Sequence, residues 1–350
     1  MTEKKRIIFV VNPISGTQGK KAILKCIDER LDRSIYDYSI VKTEYAGHAT
    51  QIAANAVREK VDVVVAIGGD GTINEIARSL VHTETVLGII PCGSGNGLAR
   101  HLRIPMEPKA AIDVINRGYE LCIDYGKINN ILFFCTCGVG FDAFISLKFA
   151  DSGKRGLLTY LENTLHENTL HESLRYQPET YEIENEEGTV KYKAWLIACG
   201  NASQYGNDAY ITPQASLTDG LMDVTIMEPF TVLDVPSLSF QLFNKTIDQN
   251  SRVKTMRAKK IKIHRANDGV MHFDGDPLMA GKELEVEIVP SGLRVIAAEK
   301  KKEKPEVVNL LQVISNYFSG LHLKGEEVMA KRQSHLFELN RTLLRKLSKK

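Results

Sequence analysis

Nowhere in its 350 residues does the chain gather the roughly 18 consecutive apolar side chains that a membrane-spanning helix requires. The N-terminal MTEKKRIIFVVNP offers five consecutive apolar residues after its basic ones, too few for the core of a secretion signal. A cytoplasmic protein is therefore expected, with any lipid contact peripheral. Cysteine provides no metal or redox scaffold either. The six are scattered at 26, 92, 122, 135, 137 and 199, and the close pair in CTC has neither zinc-ribbon nor thioredoxin spacing. Within a strand, Cys135 and Cys137 would share one face as small core residues. Two phosphate-binding signatures are also missing. There is no G-x-x-x-x-G-K-[ST] and no G-x-G-x-x-G opening a helix, so the usual P-loop and dinucleotide sites are absent. Charge of one sign is not in excess. The net charge is +2, and no nucleic-acid partner is expected.

What is present is an ordinary globular composition, 43% hydrophobic and 25% charged. The length admits two domains of about 100–200 residues each. RIIFVV (6–11), VDVVVAI (61–67) and TVLGIIP (85–91) read as buried parallel strands. Glycine-bearing loops follow each, leading into KAILKCIDERL, TINEIARSLV and the stretch after CGSGN. This alternation predicts a parallel α/β sheet with its site at the strand C-termini. After about residue 125 the pattern changes. ILFFCTCGVGF, TYEIENEEGTVKYKAWLIACG, GLMDVTIM, KKIKIHR and ELEVEIV read as antiparallel strands, with helical insertions near 141–175 and 229–248. The organisation expected is an α/β domain over 1–125, an antiparallel β domain over 126–299 whose last strand could return to the first domain, and a tail over 300–350.

That tail holds 12 Lys or Arg against 5 Glu, a local charge of +7 in a chain whose remainder carries −5. Val307, Leu310, Leu311, Ile314 and Phe318 would share one helical face, and a second basic helical stretch is expected over 326–347. Such helices could pack on the body, form a homodimer interface or lie on a membrane. ENTLH occurs twice in tandem, at 162–166 and 167–171, as a local duplication.

Three loops carry the chemistry. Asn12-Pro13-Ile14-Ser15-Gly16, Gly68-Gly69-Asp70-Gly71-Thr72 and Gly93-Ser94-Gly95-Asn96-Gly97 leave three parallel strands and would lie side by side along one edge. Glycine there lets main-chain N–H groups close on an anion, and each helix N-terminus adds about half a positive charge. Ser15, Thr72, Ser94 and Asn96 would add short hydrogen bonds. A triphosphate suits this arrangement better than an uncharged ligand.

In order and spacing, VNPISG, AIGGDGTINEIA and GIIPCGSGNGLAR resemble the catalytic domain shared by diacylglycerol kinases, sphingosine kinases and ceramide kinases. CGVGFDA, GLLTYL, PQASLTDGLMDV and HFDGDPL are similar to that family's second-domain motifs. The resemblance spans about residues 5–298. It implies a β-sandwich for the second domain, with the active site in the cleft between the two. It further implies an ATP- and Mg²⁺-dependent lipid kinase, whose acceptor is diacylglycerol or a sphingoid-type lipid at a membrane surface. Asn12, Pro13, Ser15, Gly16, Thr43, Gly68, Gly69, Asp70, Gly71, Thr72, Asn74, Glu75, Gly93, Ser94, Gly95 and Asn96 fall where the family binds ATP. Asp70 stands at its essential GGDG aspartate, with Asp124 as a further acidic member of the metal network. A second, structural Mg²⁺ would use the Asp219 side chain and main-chain oxygens of Ser216 and Leu221, although TDGL also suits a hairpin turn.

Two departures from the family pattern bear on the chemistry. Where the family usually has D-G-E, this chain has Asp274-Gly275-Asp276. The shorter side chain leaves Asp276 and Asp274 both as candidates for the general base, which must reach the acceptor hydroxyl within about 3 Å. Gly97 stands where many bacterial relatives carry aspartate, a feature closer to the sphingosine- and ceramide-kinase style. Acyl chains would lie against Phe134, Phe141, Phe144, Leu157 and Leu158. A soluble-metabolite kinase such as an NAD kinase, or a non-catalytic protein that binds nucleotide or lipid, stays open as an alternative.

Overall fold

The computed structural model describes residues 4–13, 19–152 and 176–299. The ENTLH repeat, GLLTYL with Leu157 and Leu158, and the tail over 300–350 lie outside the described residues.

Four parallel strands begin the fold: β1 (Lys5–Val11), β2 (Tyr36–Lys42), β3 (Val63–Gly68) and β4 (Val86–Pro91), in the spatial order β2-β1-β3-β4. β3 and β4 are buried at every position, as a parallel strand covered on both faces must be. Helices α1 (Lys20–Arg30), α2 (His48–Arg58), α3 (Asp70–Leu80), α4 (Gly97–His101) and α5 (Pro108–Arg117) accompany them. α3 buries Ile73, Ile76, Ala77 and Leu80, the i, i+3, i+4, i+7 stripe that seats a helix on a sheet. α5 starts with proline, is capped by the Glu107 carboxylate on the amides of Lys109 and Ala110, and stops at Gly118 with φ 61°.

The second half is built from β5 (Glu120–Ile128), β6 (Ile131–Phe133), β7 (Thr136–Gly140), α6 (Phe141–Ser152), β8 (Glu179–Asn185), β9 (Gly188–Ala194), β10 (Leu196–Gly200) and β11 (Met222–Met227). It continues with α7 (Val235–Phe243), β12 (Val253–Ala258), β13 (Lys260–Arg265), β14 (Gly269–Phe273), β15 (Asp276–Ala280) and β16 (Glu283–Ile296). A six-stranded antiparallel sheet, β12-β11-β10-β7-β14-β15, packs against β5, β8, β13 and β16. Between them lies a core that includes Phe133, Val139, Ile183, Ile197, Val224, Ile226, Ile263 and Val286. The alternation of these residues along their strands directs one face of each sheet inward, which makes a β-sandwich.

β16 joins the halves. Near its C-terminus Val295 pairs in parallel with Leu87 of β4, while its N-terminal part pairs antiparallel with β13. One ten-stranded sheet therefore runs through both domains. Cys135 and Cys137 do not share a face. Strand β7 begins only at Thr136, so Cys135 joins the core of the α/β domain while Cys137 enters the sandwich opposite Cys199.

Candidate active site

Helix α3 starts two residues after β3 ends, so Gly69 and Asp70 sit at the sheet's C-terminal edge. The neighbouring loops are tied to them. Asn12 Nδ2 donates to Thr72 Oγ1 at 3.1 Å, and Cys92 N donates to Gly68 O at 2.8 Å. Gly69 and Gly93 meet backbone to backbone, and a Cβ on Gly93 would lie 2.6 Å from Gly69 Cα. Asn96, left-handed at φ 53° and buried, closes the third loop on itself. It donates to Gly93 O at 2.7 Å and accepts from Gly93 N at 3.0 Å.

Asp70 lies at the centre of this arrangement. Its Oδ2 accepts from Asn96 N and its Oδ1 from Gly97 N, each at 2.8 Å. Burial pushes its pKa up, against the pull of those two amides and of Arg100. Gly95 has to be glycine, because a Cβ there would stand 2.7 Å from Asp70 Oδ2. Thr43 continues the same edge through its amide to Val11 O at 2.9 Å. Glu75 Oε1 accepts from Gly47 N at 3.2 Å at the start of α2, and Asn74 is buried in α3. Pro13, Gly71 and Ser94 are exposed. Ser15 and Gly16 lie outside the described residues.

The sandwich contributes the turn between β14 and β15. Asp274 and Gly275 both have positive φ, 51° and 88°, as the two-residue hairpin turn favoured by Asp-Gly requires. The Asp274 carboxylate is taken up by three main-chain donors: Phe134 N at 2.7 Å, Cys135 N at 2.7 Å and Thr136 N at 3.0 Å. Burial pushes its pKa up to about 6 against those three bonds, and the nearby charge of Asp70 adds to the rise. Asp274 and Asp70 are thus close enough to sense one another across the domain junction. Asp276, the first residue of β15, is exposed. Of the proposed acyl-contact residues, Phe134 is fully buried, whereas Phe141 and Phe144 are half-buried and form an aromatic group with Tyr176 and Trp195.

Some residues at this junction escape a reading of the sequence. Arg100 donates from Nε to Gly95 O at 3.0 Å and pairs with Asp208 at 2.9 Å, linking the third loop to the second domain. Asp142 Oδ2 accepts from Tyr205 OH at 2.9 Å and lies 3.0 Å from His272 Nε2, two residues before Asp274. The only hint was that Asp142 and His272 fall inside the motifs CGVGFDA and HFDGDPL.

The expected metal positions differ in character. Among the described residues, no three His, Cys, Asp or Glu side chains group as metal ligands. Asp70 fits an ion that arrives with a polyphosphate, since two amides leave some of its roughly four lone-pair directions unused. Asp124 is differently employed. Its oxygens accept from Gly220 N and Ser291 N, each at 2.7 Å, which staples the 216–221 loop to β5 and β16. In the 216–221 loop the Asp219 carboxylate already has partners. Asp219 Oδ2 is paired with the Arg257 guanidinium, Asp219 Oδ1 accepts from Leu221 N at 3.1 Å, and Ser216 Oγ accepts from Thr218 N at 3.4 Å. Arg257 Nε also lies 3.4 Å from Asp223 Oδ2, so a fixed positive charge stands beside the carboxylate that was to hold the ion.

Glycine loops converging on a half-buried aspartate, on a parallel sheet continued into a β-sandwich, define a two-domain kinase architecture. Residues 6–128 match the Diacylglycerol kinase catalytic domain, and residues 137–297 match the YegS C-terminal NAD kinase beta sandwich-like domain. A Pectobacterium atrosepticum protein named "Probable lipid kinase YegS-like" is 30% identical over 279 residues, 79% of this chain and 91% of that protein. A diacylglycerol kinase of Staphylococcus saprophyticus is 26% identical over 277 residues, 78% of this chain and 89% of that one. The crystal structure of a Bacillus anthracis diacylglycerol kinase superposes with a TM-score of 0.66 at 20% identity, covering 88% of this chain and all of that one. The chain belongs to the bacterial-type lipid kinase family that carries the diacylglycerol kinase catalytic domain. Among its described residues, no helix is long and apolar enough to cross a membrane.

Proposed function

We propose that the chain transfers the γ-phosphoryl group of ATP to a hydroxyl of diacylglycerol or a sphingoid-type lipid presented at a membrane surface. The observation that carries this reading is the convergence of the second and third glycine loops on Asp70, within a chain of the lipid kinase family. The backbone N–H groups at the sheet edge bind the polyphosphate, and the tight Gly69–Gly93 contact sets their spacing. Mg²⁺ brought with the nucleotide would neutralise phosphate charge, and Asp70 would hold it. Asp276 is the better base of the two candidates, because the Asp274 oxygens already accept three amides and so position the turn instead. Asp276 would orient or deprotonate the acceptor hydroxyl. Positioning and charge neutralisation would supply most of the acceleration.

Incubation with labelled ATP and a mixed lipid extract, followed by mass spectrometry of the products, tests the proposal. A labelled phospholipid is expected, and none from any acceptor would end the lipid-kinase reading. The likeness of residues 137–297 to an NAD kinase-type sandwich makes NAD the control acceptor. Its phosphorylation in place of lipid would move the substrate class.

A further inference from the structure

Lys20 opens α1, shortly after the first glycine loop. Its Nζ is buried and, among the described residues, has no oxygen or nitrogen partner. It lies close to the thiol of Cys92, and the Cys92 amide bonds to Gly68 O at 2.8 Å where the second and third loops meet. An ammonium withdrawn from water without a counter-charge is strongly unfavourable, so folded chains either pair such a group or reserve it for a ligand. The Cys92 thiol can meet the ammonium but gives it no counter-charge, because burial, acting against the pull of Lys20, favours its neutral form. A compact ammonium meets phosphate as a point charge, without the geometric demands of a guanidinium.

We infer that Lys20 is a direct ligand of the polyphosphate of the bound nucleotide. The inference rests on the phosphotransfer reading above and adds to it a residue outside the glycine motifs. Lysine at this position is a liability in the empty protein and an asset in the loaded one. That pairing of opposite signs separates a ligand contact from a packing role.

The experiment compares the wild-type chain with Lys20→Met, which keeps the stem and removes the charge, and Lys20→Arg, which keeps the charge. Thermal melting is followed alone and with ATP, tripolyphosphate or adenosine. Without ligand, Lys20→Met is expected to melt at or above the wild type. ATP and tripolyphosphate should raise the wild-type melting temperature and adenosine should not. Lys20→Met should lose ATP affinity by about tenfold or more, the order expected for one charge-assisted phosphate contact, and Lys20→Arg should recover part of it. A wild type stabilised by ATP whose Lys20→Met variant binds ATP equally well would overturn the inference alone. A wild type that no polyphosphate stabilises would overturn the kinase reading and the inference together.

Discussion

The Asp70 carboxylate receives the Gly97 amide on Oδ1 and the Asn96 amide on Oδ2, both at 2.8 Å. The acidic residue of the second loop is therefore also the anchor for the start of α4. A substituent at Gly97 would press on Cys135 Sγ at 3.3 Å and on Gln204 O and Gly206 N at 3.4 Å. Gly97 thus lets the third loop and the second domain close around Asp70.

Asp70→Asn should abolish turnover and weaken the fold together. The amide NH₂ would face one of two main-chain donors, which costs about 1–3 kcal/mol for the mismatched group. Loss of the carboxylate should reduce the phosphorylation rate by about a hundredfold or more. Steady-state kinetics and denaturant melts on the same preparation check both parts.

Gly95→Ala should impair activity through Asp70. The added methyl would stand 2.7 Å from Asp70 Oδ2 and displace the carboxylate from its amides. Gly71→Ala is the contrasting variant, because among the described residues nothing lies within 4 Å of its new Cβ. Inside α3 it should stabilise the empty chain by up to about 1 kcal/mol. If polyphosphate lies on that backbone, ATP affinity should fall nonetheless, as titration calorimetry would record.

Asp276→Asn should lower kcat with little change in melting temperature, whereas Asp274→Asn should destabilise by about 1–3 kcal/mol by turning an NH₂ toward one of the three amides. The pH dependence gives a second signature. The folded pKa of Asp274, about 6, lies above its ordinary 3.8, so the native chain holds this proton more tightly than the unfolded chain. Its contribution is full below about pH 4 and is lost as pH rises through about 6. The stability difference between wild type and Asp274→Asn should therefore narrow over that window and level off above it.

Chelation should leave the nucleotide-free chain unmoved at the 216–221 loop. With Arg257 on Asp219, the melting temperature should be the same in EDTA and in Mg²⁺. Arg257→Ala removes the resident cation and should create a Mg²⁺-dependent rise. A wild-type chain that melts lower in EDTA would restore a structural ion to this loop.

The run VDVVVAI followed by GGDGT was enough to place a buried parallel strand and an anion-binding turn, because strand burial and helix-terminus chemistry are local properties. The antiparallel alternation of GLMDVTIM and KKIKIHR was legible for the same reason, and the ordered motifs pointed to the lipid kinase family. The partners of the carboxylates were not legible. Asp274 finds Phe134 N across 140 residues, and Asp124 finds Ser291 N across 167. Whether an aspartate serves as base, staple or ion-pair partner depends on which amides and guanidinium groups the folded chain brings to it, and chain spacing holds no record of that. β16 decides much of this, since one strand that pairs with β4 at one end and β13 at the other brings the two domains into one sheet. Local periodicity determined the elements and the loops, while long-range pairing decided what each acidic side chain can do.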